Sequence, residues 1–223
     1  MFEAISYDLT PVAGLALVGH HLNRLAPVFK QLDAALPVKN GVANSDILRS
    51  YLGLLVQGKS DFDAIENFRG DAFFKQALGI ELLPSSPTLR QRMDARAGDL
   101  FDFLPPLIET LLASARADYG VLPCGWLALD VDTFTMDNGD TAKDGVGRTY
   151  TGVDGYCPLA AYLGSHGFCL ELALRPGRAA LGVGDVIQLR AGAPDGPTHE
   201  RGGPEGADPG AAGLWLRLRG ADA

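Results

Sequence analysis

The sequence predicts an α+β chain in three parts: a helical region over residues 1–120, a strand-rich block over 121–176, and an aperiodic tail over 177–223. Three observations carry that expectation. Apolar residues recur at three- and four-residue spacing as far as Gly120, which is the helical period. Beyond Val121 they gather into compact runs bounded by turn residues, which is how strands read. From Pro176 onward glycine and proline make up about a third of the residues, a composition that resists core formation.

The helical elements follow in order. Val12, Leu15, Ala16, Leu22 and Leu25 form the first apolar stripe, with Pro11 suited to an opening turn. Ser45 is the expected N-cap of a second helix carrying Ile47, Leu48, Tyr51, Leu52 and Leu55, closed by Gly58. Ser60 and Asp63 resemble a capping box that opens a short helix through Ile65 and Phe68. Phe73, Phe74, Ala77 and Leu78 make another short stripe, stopped at Gly79. Ser86 before Pro87 marks the clearest helix start. A last run from Leu100 to Ala115 contains Pro105-Pro106, which should break it. In the second block, Leu127 to Asp132 reads as a buried strand ending on carboxylates. Cys157–Tyr162 and Phe168–Leu174 read as a hairpin turning through Leu163-Gly164-Ser165-His166-Gly167.

Composition narrows the function classes. At 223 residues, 47% hydrophobic and 21% charged, the chain is long enough to bury a core without disulfides or metals. The apolar stretch Val12–Gly19 is far too short for a bilayer, which needs about 18–20 residues. Met1-Phe2-Glu3 lacks the basic start of an export signal. Cys124, Cys157 and Cys169, odd in number and without C-x-x-C spacing, read as reduced, mostly packed thiols of a cytoplasmic protein. A net charge of −8 argues against simple electrostatic binding of nucleic acid.

Asp130 and Asp132 are the most informative residues. Two positions apart on a strand, they share one face at its C-terminal rim. Two carboxylates so placed describe either a solvated strand end or a ligand pair for a hard divalent cation. Asp137 and Asp140 read as turn residues, and their spacing is not that of an EF-hand. His20-His21 has no second ligand pair and reads as part of a helix surface. Thr88, Arg90, Gln91 and Arg92 follow the Ser86-Pro87 helix start. They describe either a solvated surface helix or one whose N-terminal residues reach base edges in a major groove. Lys59, Arg69 and Lys75 are candidate phosphate contacts.

The stretch Leu127 to Pro158, LALDVDTFTMDNGDTAKDGVGRTYTGVDGYCP, resembles the first catalytic block of bacterial insertion-sequence transposases of the DDE type, specifically the DDE domain, group one. Asn44–Leu55, Gln57–Phe62 and Pro84–Arg92 extend the resemblance, which covers about residues 10 to 177 in order. It implies an RNase-H-like core in which three carboxylates hold two Mg²⁺ or Mn²⁺ ions for cut-and-paste strand cleavage and transfer. Asp132, followed by Thr133, matches the first carboxylate, with Asp130 as the second candidate. The resemblance also implies that the helical region binds double-stranded DNA at the element's terminal inverted repeats. The intact family protein is expected to act in the bacterial cytoplasm at the nucleoid, as a homodimer and without a membrane.

The resemblance ends near Gly177. A family member would continue to a second Asp in a D-S-G motif and then to a Glu. The tail reads instead as the product of a slipped frame. Ala212–Gly220 (AGLWLRLRG) can be encoded so that reading one base later gives L-D-S-G-S-G-Y-E, and the single Trp215 codon constrains that reading. On this view the product is truncated and inactive, lacks the second and third carboxylates, holds metal weakly or not at all, and retains at most DNA binding. Two rivals remain. One is a non-catalytic helical DNA-binding or regulatory fragment. The other is a haloacid-dehalogenase-like phosphatase, suggested by D-x-D but opposed by Phe134 two places later.

Overall fold

The computed structural model describes residues 10–123 and 126–179, and the backbone of residues 213–217. The expectations for Met1–Glu3, Cys124 and most of the tail lie outside those residues. The fold is mixed α and β, and the chain divides between Ala117 and Asp118 into two units. Among the described residues no helix is long and apolar enough to cross a membrane.

The first unit comprises α1 (Leu15–Arg24), α2 (Ala26–Ala35), α3 (Asn44–Leu55), a 3-10 helix (Phe62–Phe68), α4 (Ala72–Leu78), α5 (Ser86–Phe101) and α6 (Leu104–Ala115). α1, α3, the 3-10 helix, α4 and α6 sit where the apolar stripes predict, with ends set differently, whereas α2 corresponds to no stripe read from the sequence. Pro11 lies in a turn ahead of α1 and outside its first turn. Ser45 is not the cap of α3: its backbone N–H donates to the Asp33 carboxylate on α2 at 2.9 Å. A side chain distant in sequence thus satisfies the donor that a local cap would otherwise serve. Asp61, not Ser60, caps the 3-10 helix by accepting from the Asp63 N–H at 3.0 Å. Ser85, not Ser86, caps α5. Pro105 and Pro106 separate α5 from α6 and occupy the first turn of α6, where a missing N–H costs nothing.

Leu32, Ile47, Leu54, Ile65, Phe74, Leu78 and Leu89 are fully buried at the centre of this unit. Phe68 stacks on Phe74 with ring centroids 4.3 Å apart. Among them lies a charged residue, Arg49, only 6% exposed. Its Nη1 donates to Leu78 O at 2.6 Å and to Asn23 Oδ1 at 3.0 Å. Its Nη2 donates to Leu22 O at 3.4 Å, and the guanidinium lies 4.3 Å from the Phe29 ring centroid. The carbonyls belong to the ends of α1 and α4, where helical bonding runs out; Leu22 O also accepts from the Leu25 N–H at 3.0 Å. Gly79 closes α4 at φ +66°, a left-handed cap that glycine adopts without strain.

Asp46 is the other buried charge. Its two carboxylate oxygens accept from the N–H groups of Glu81 and Leu82 at 3.1 and 2.9 Å, fixing the segment that leads into α5. Burial raises its pKa from the ordinary 3.8, outweighing the two backbone N–H groups that lower it.

The second unit holds β1 (Trp126–Thr133), β2 (Met136–Asp137), β3 (Gly147–Arg148), β4 (Asp154–Tyr156), β5 (Leu159–Leu163), β6 (Phe168–Ala173) and β7 (Gly213–Arg217). One sheet has the order β6-β5-β1-β7 and a smaller one β2-β4-β3, all pairs antiparallel. The hairpin from β5 to β6 forms as its turn residues predict. Leu127, Leu129 and Ala161 form the core, backed by Tyr119, Val131, Leu163 and Leu170. Two expectations are corrected here. Cys157 is buried but Cys169 is exposed, because β6 is the outer strand of its sheet. The tail is also not wholly without structure: Gly213–Arg217 pairs with Trp126–Asp130. The open side of β1 presents unpaired N–H and C=O groups that recruit a further strand.

Two outcomes test this packing. A Cβ on Gly19 would lie 1.6 Å from Ala77 O, so α1 and α4 meet only because residue 19 is glycine. Gly→Ala in an exposed helix interior gains about 1 kcal/mol, whereas Gly19→Ala should lower the urea midpoint. For Asp46, the folded state holds its proton more tightly than the unfolded chain, so this group favours folding as pH falls through the raised pKa toward 3.8. Urea titrations across that range should show wild type gaining on Asp46→Asn on acidification, with a constant difference at neutral pH and above.

Candidate functional site

Side chains alternate along β1. Leu127, Leu129 and Thr133 are buried, whereas Asp130 and Asp132 are exposed on the opposite face. The shared face follows from the two-residue strand period, which separates the carboxylates by about 6.5 Å along the chain. Pairing holds β1 on both sides, with Asp130 opposite Tyr162 and Gly213, and Asp132 opposite Ala160. Asp132 Oδ1 accepts from the Thr133 N–H at 2.7 Å, which fixes one oxygen of an exposed carboxylate. Such a pair offers oxygens to a hard cation, which fills the rest of its six-fold shell with water or substrate oxygens. Among the described residues no group of three or more His, Cys, Asp or Glu side chains converges.

At the end of this strand lies a cluster that the sequence reading missed. Tyr150 Oη donates to Thr133 O at 3.2 Å. The hydroxyls of Thr135 and Thr151 are 2.8 Å apart, and those of Thr149 and Thr151 are 3.1 Å apart. Alternating T-Y-T residues carried the signal, but only the chain reversal through β3 and β4 brings them to β1. Asp140 lies in a turn as expected, whereas Asp137 ends β2 opposite Gly155, its side chain accepting from the Gly139 N–H at 3.0 Å at the start of that turn.

In the helical unit, α5 carries the other candidates, and they are not used alike. Its N-terminus is already served by carboxylates of the 3-10 helix. Ser86 N donates to Glu66 Oε1 at 2.6 Å, and Ser86 Oγ donates to Asp63 Oδ1. Those acids occupy the positive end of the helix, where a phosphate would otherwise bind. Thr88 shares a hydrogen bond with Ser85 Oγ at 2.9 Å. Arg90 is half-exposed, 3.9 and 4.0 Å from Asp61 and Asp63, with its guanidinium 5.2 Å from the Phe62 ring centroid. Gln91 is exposed. Arg92 turns into the fold: its Nη1 donates to Asn44 Oδ1 at 2.8 Å, while Asn44 Nδ2 donates to Leu36 O at 2.7 Å. Arg92 therefore joins α5 to α3. Lys59 is half-buried in the turn after α3, and Arg69 pairs with Glu66 at 3.7 Å. His20 and His21 are exposed, edge to face at 5.5 Å.

No family model, curated protein or solved structure matches the chain. The roles of these residues are therefore read from their chemistry and placement.

The different commitments of Arg90 and Arg92 are separable by thermal denaturation. Arg92→Ala leaves the buried Asn44 carbonyl without its donor and should cost about 1–3 kcal/mol. Arg90→Ala removes only solvent-screened contacts and should stay within about 0.5–1 kcal/mol of wild type.

Proposed function

We propose that this chain is a DDE-type insertion-sequence transposase product, with a helical DNA-binding unit and the opening strands of an RNase-H-like core. The observation that carries it is the exposed Asp130–Asp132 pair on a strand held on both sides, within an antiparallel β1-β5-β6 arrangement. An RNase-H-like core opens with such a meander, its first strand interior and acidic. A parallel sheet would be expected around the nucleophile strand of a haloacid-dehalogenase-like phosphatase, so the antiparallel pairing favours the transposase.

Two divalent ions, Mg²⁺ or Mn²⁺, would supply activation of the attacking oxygen and stabilisation of the leaving one when bound. The residues fit part of that set. Asp132 is the first ligand, oriented by its bond to the Thr133 N–H, and Asp130 stands beside it on the same rigid strand. The Asp of the shifted reading is encoded across the Gly213 and Leu214 codons. In the frame as encoded no carboxylate stands there, so metal binding is weak and strand cleavage is lost. Residues that act as a unit are not additive, so partial loss of the set removes activity outright. The partner is double-stranded DNA, with Arg90 and Gln91 on the outer side of α5, Thr88 at its first turn and Lys59 as a backbone contact. Arg92 orients the helix.

Restoring the frame near the codons for Arg175 to Gly184 provides the test. The restored protein should nick duplex taken from the flanks of its own gene in Mg²⁺. The same protein with Asp132→Ala, and the chain as encoded, should nick at background rate on denaturing gels. Full cleavage by the Asp132→Ala variant would overturn the assignment, and loss with Asp130→Ala alone would transfer the role to Asp130.

A further inference from the structure

We propose that the turn Arg148–Gly152, packed against the C-terminal end of β1, is a platform for unpaired single-stranded DNA beside the Asp130–Asp132 pair. The inference rests on the functional reading above and extends it to the form of the substrate. Aromatic side chains are expensive to leave in water, yet Tyr150 is 68% exposed and Phe134 is 39% exposed. The Tyr150 ring is held by its hydroxyl bond to Thr133 O, and the backbone of Phe134 is held beside it by its N–H bond to Pro158 O at 3.2 Å. Thr133 immediately follows Asp132, so the tethered Tyr150 ring lies at the strand end that carries the carboxylates, with the exposed Phe134 next along the chain.

The polar groups around the rings suit a sugar–phosphate chain. Thr135 and Thr151 offer neutral hydroxyls that are already paired with each other, a ready hydrogen-bonding edge. Arg148 supplies the charge. Its side chain is 66% exposed, and its Nη2 would lie 3.7 Å from a Cβ at Gly152, so the guanidinium runs over the turn. Its ion pair with Asp154, at 3.7 Å, is a surface contact that a phosphate can displace at little cost. Exposed aromatic faces with one cation and several hydroxyls describe single-strand recognition, in which unstacked bases lie on the rings. Paired bases in a duplex present no free face to such rings.

The experiment uses the full chain and a labelled oligothymidylate, with fluorescence anisotropy at low salt in Ca²⁺. Wild type should bind, and Tyr150→Ala should bind about tenfold more weakly. Tyr150→Phe keeps the ring but loses the bond to Thr133 O, and should bind like wild type. Arg148→Ala should reduce the dependence of log affinity on log salt by about 0.7. Failure of wild type to bind, or equal binding by Tyr150→Ala with unchanged circular dichroism, overturns the platform. An equal loss by Tyr150→Ala on duplex of the same length overturns the preference for an unpaired strand. The transposase assignment is read separately, from Asp132-dependent nicking. Oligothymidylate binding without that nicking leaves the platform and removes the assignment, and the reverse removes the platform alone.

Discussion

The helical unit depends on one buried guanidinium. Arg49 sits where three helices would otherwise meet with unpaired polar groups at their centre. It accepts the cost of burial because its planar fork reaches Leu22 O, Leu78 O and Asn23 together, while its face rests on Phe29. Those carbonyls are helix ends, carrying partial negative charge that a cation answers. The desolvation that draws its pKa down is the counterpart of that arrangement. The close approach of α1 and α4 at Gly19 and the left-handed cap at Gly79 both serve the same geometry, since each brings a carbonyl or a helix end toward Arg49.

A second layer of polar contacts converts this core into a mount for α5. Asp46 holds the segment before the helix through two backbone N–H groups, and Asn44 holds the helix itself through Arg92. Both come from the first turn of α3, one turn from Arg49. The acids of the 3-10 helix then close the N-terminus of α5. The helix is thereby positioned rigidly but with its positive end neutralised. For an acidic chain proposed to bind DNA, this puts the burden on the half-exposed Arg90 and the exposed Gln91, and makes association depend on specific contacts more than on long-range attraction.

In the second unit β1 has the corresponding role. Its buried face is apolar and its outer face acidic, and it is paired along both edges. A strand so held keeps the two carboxylates in fixed relation, which a loop would not. The turn through Tyr150 meets the end of this strand, so a rigid acidic pair and an aromatic, hydroxyl-rich edge adjoin within a few residues.

By itself the sequence determined the elements whose cause is local. Helical periodicity placed the apolar stripes, Gly79 and Pro105-Pro106 placed the breaks, and alternation along β1 put Asp130 and Asp132 on one face. Those follow from backbone geometry over a few residues. Tertiary structure decided what each polar residue does. Ser45 looks like a cap, yet Asp33 provides it, and Arg92 resembles Arg90 in sequence but faces Asn44. Arg49 falls on the same helical face as Asp46 and Gly53, a legible hint of burial, but its carbonyl partners come from α1 and α4. The pairing of Gly213–Arg217 with β1 joins positions more than eighty residues apart. Hydrogen-bond partners chosen across such separations depend on which chain ends and edges are left unsatisfied in the folded state, and no local pattern records that.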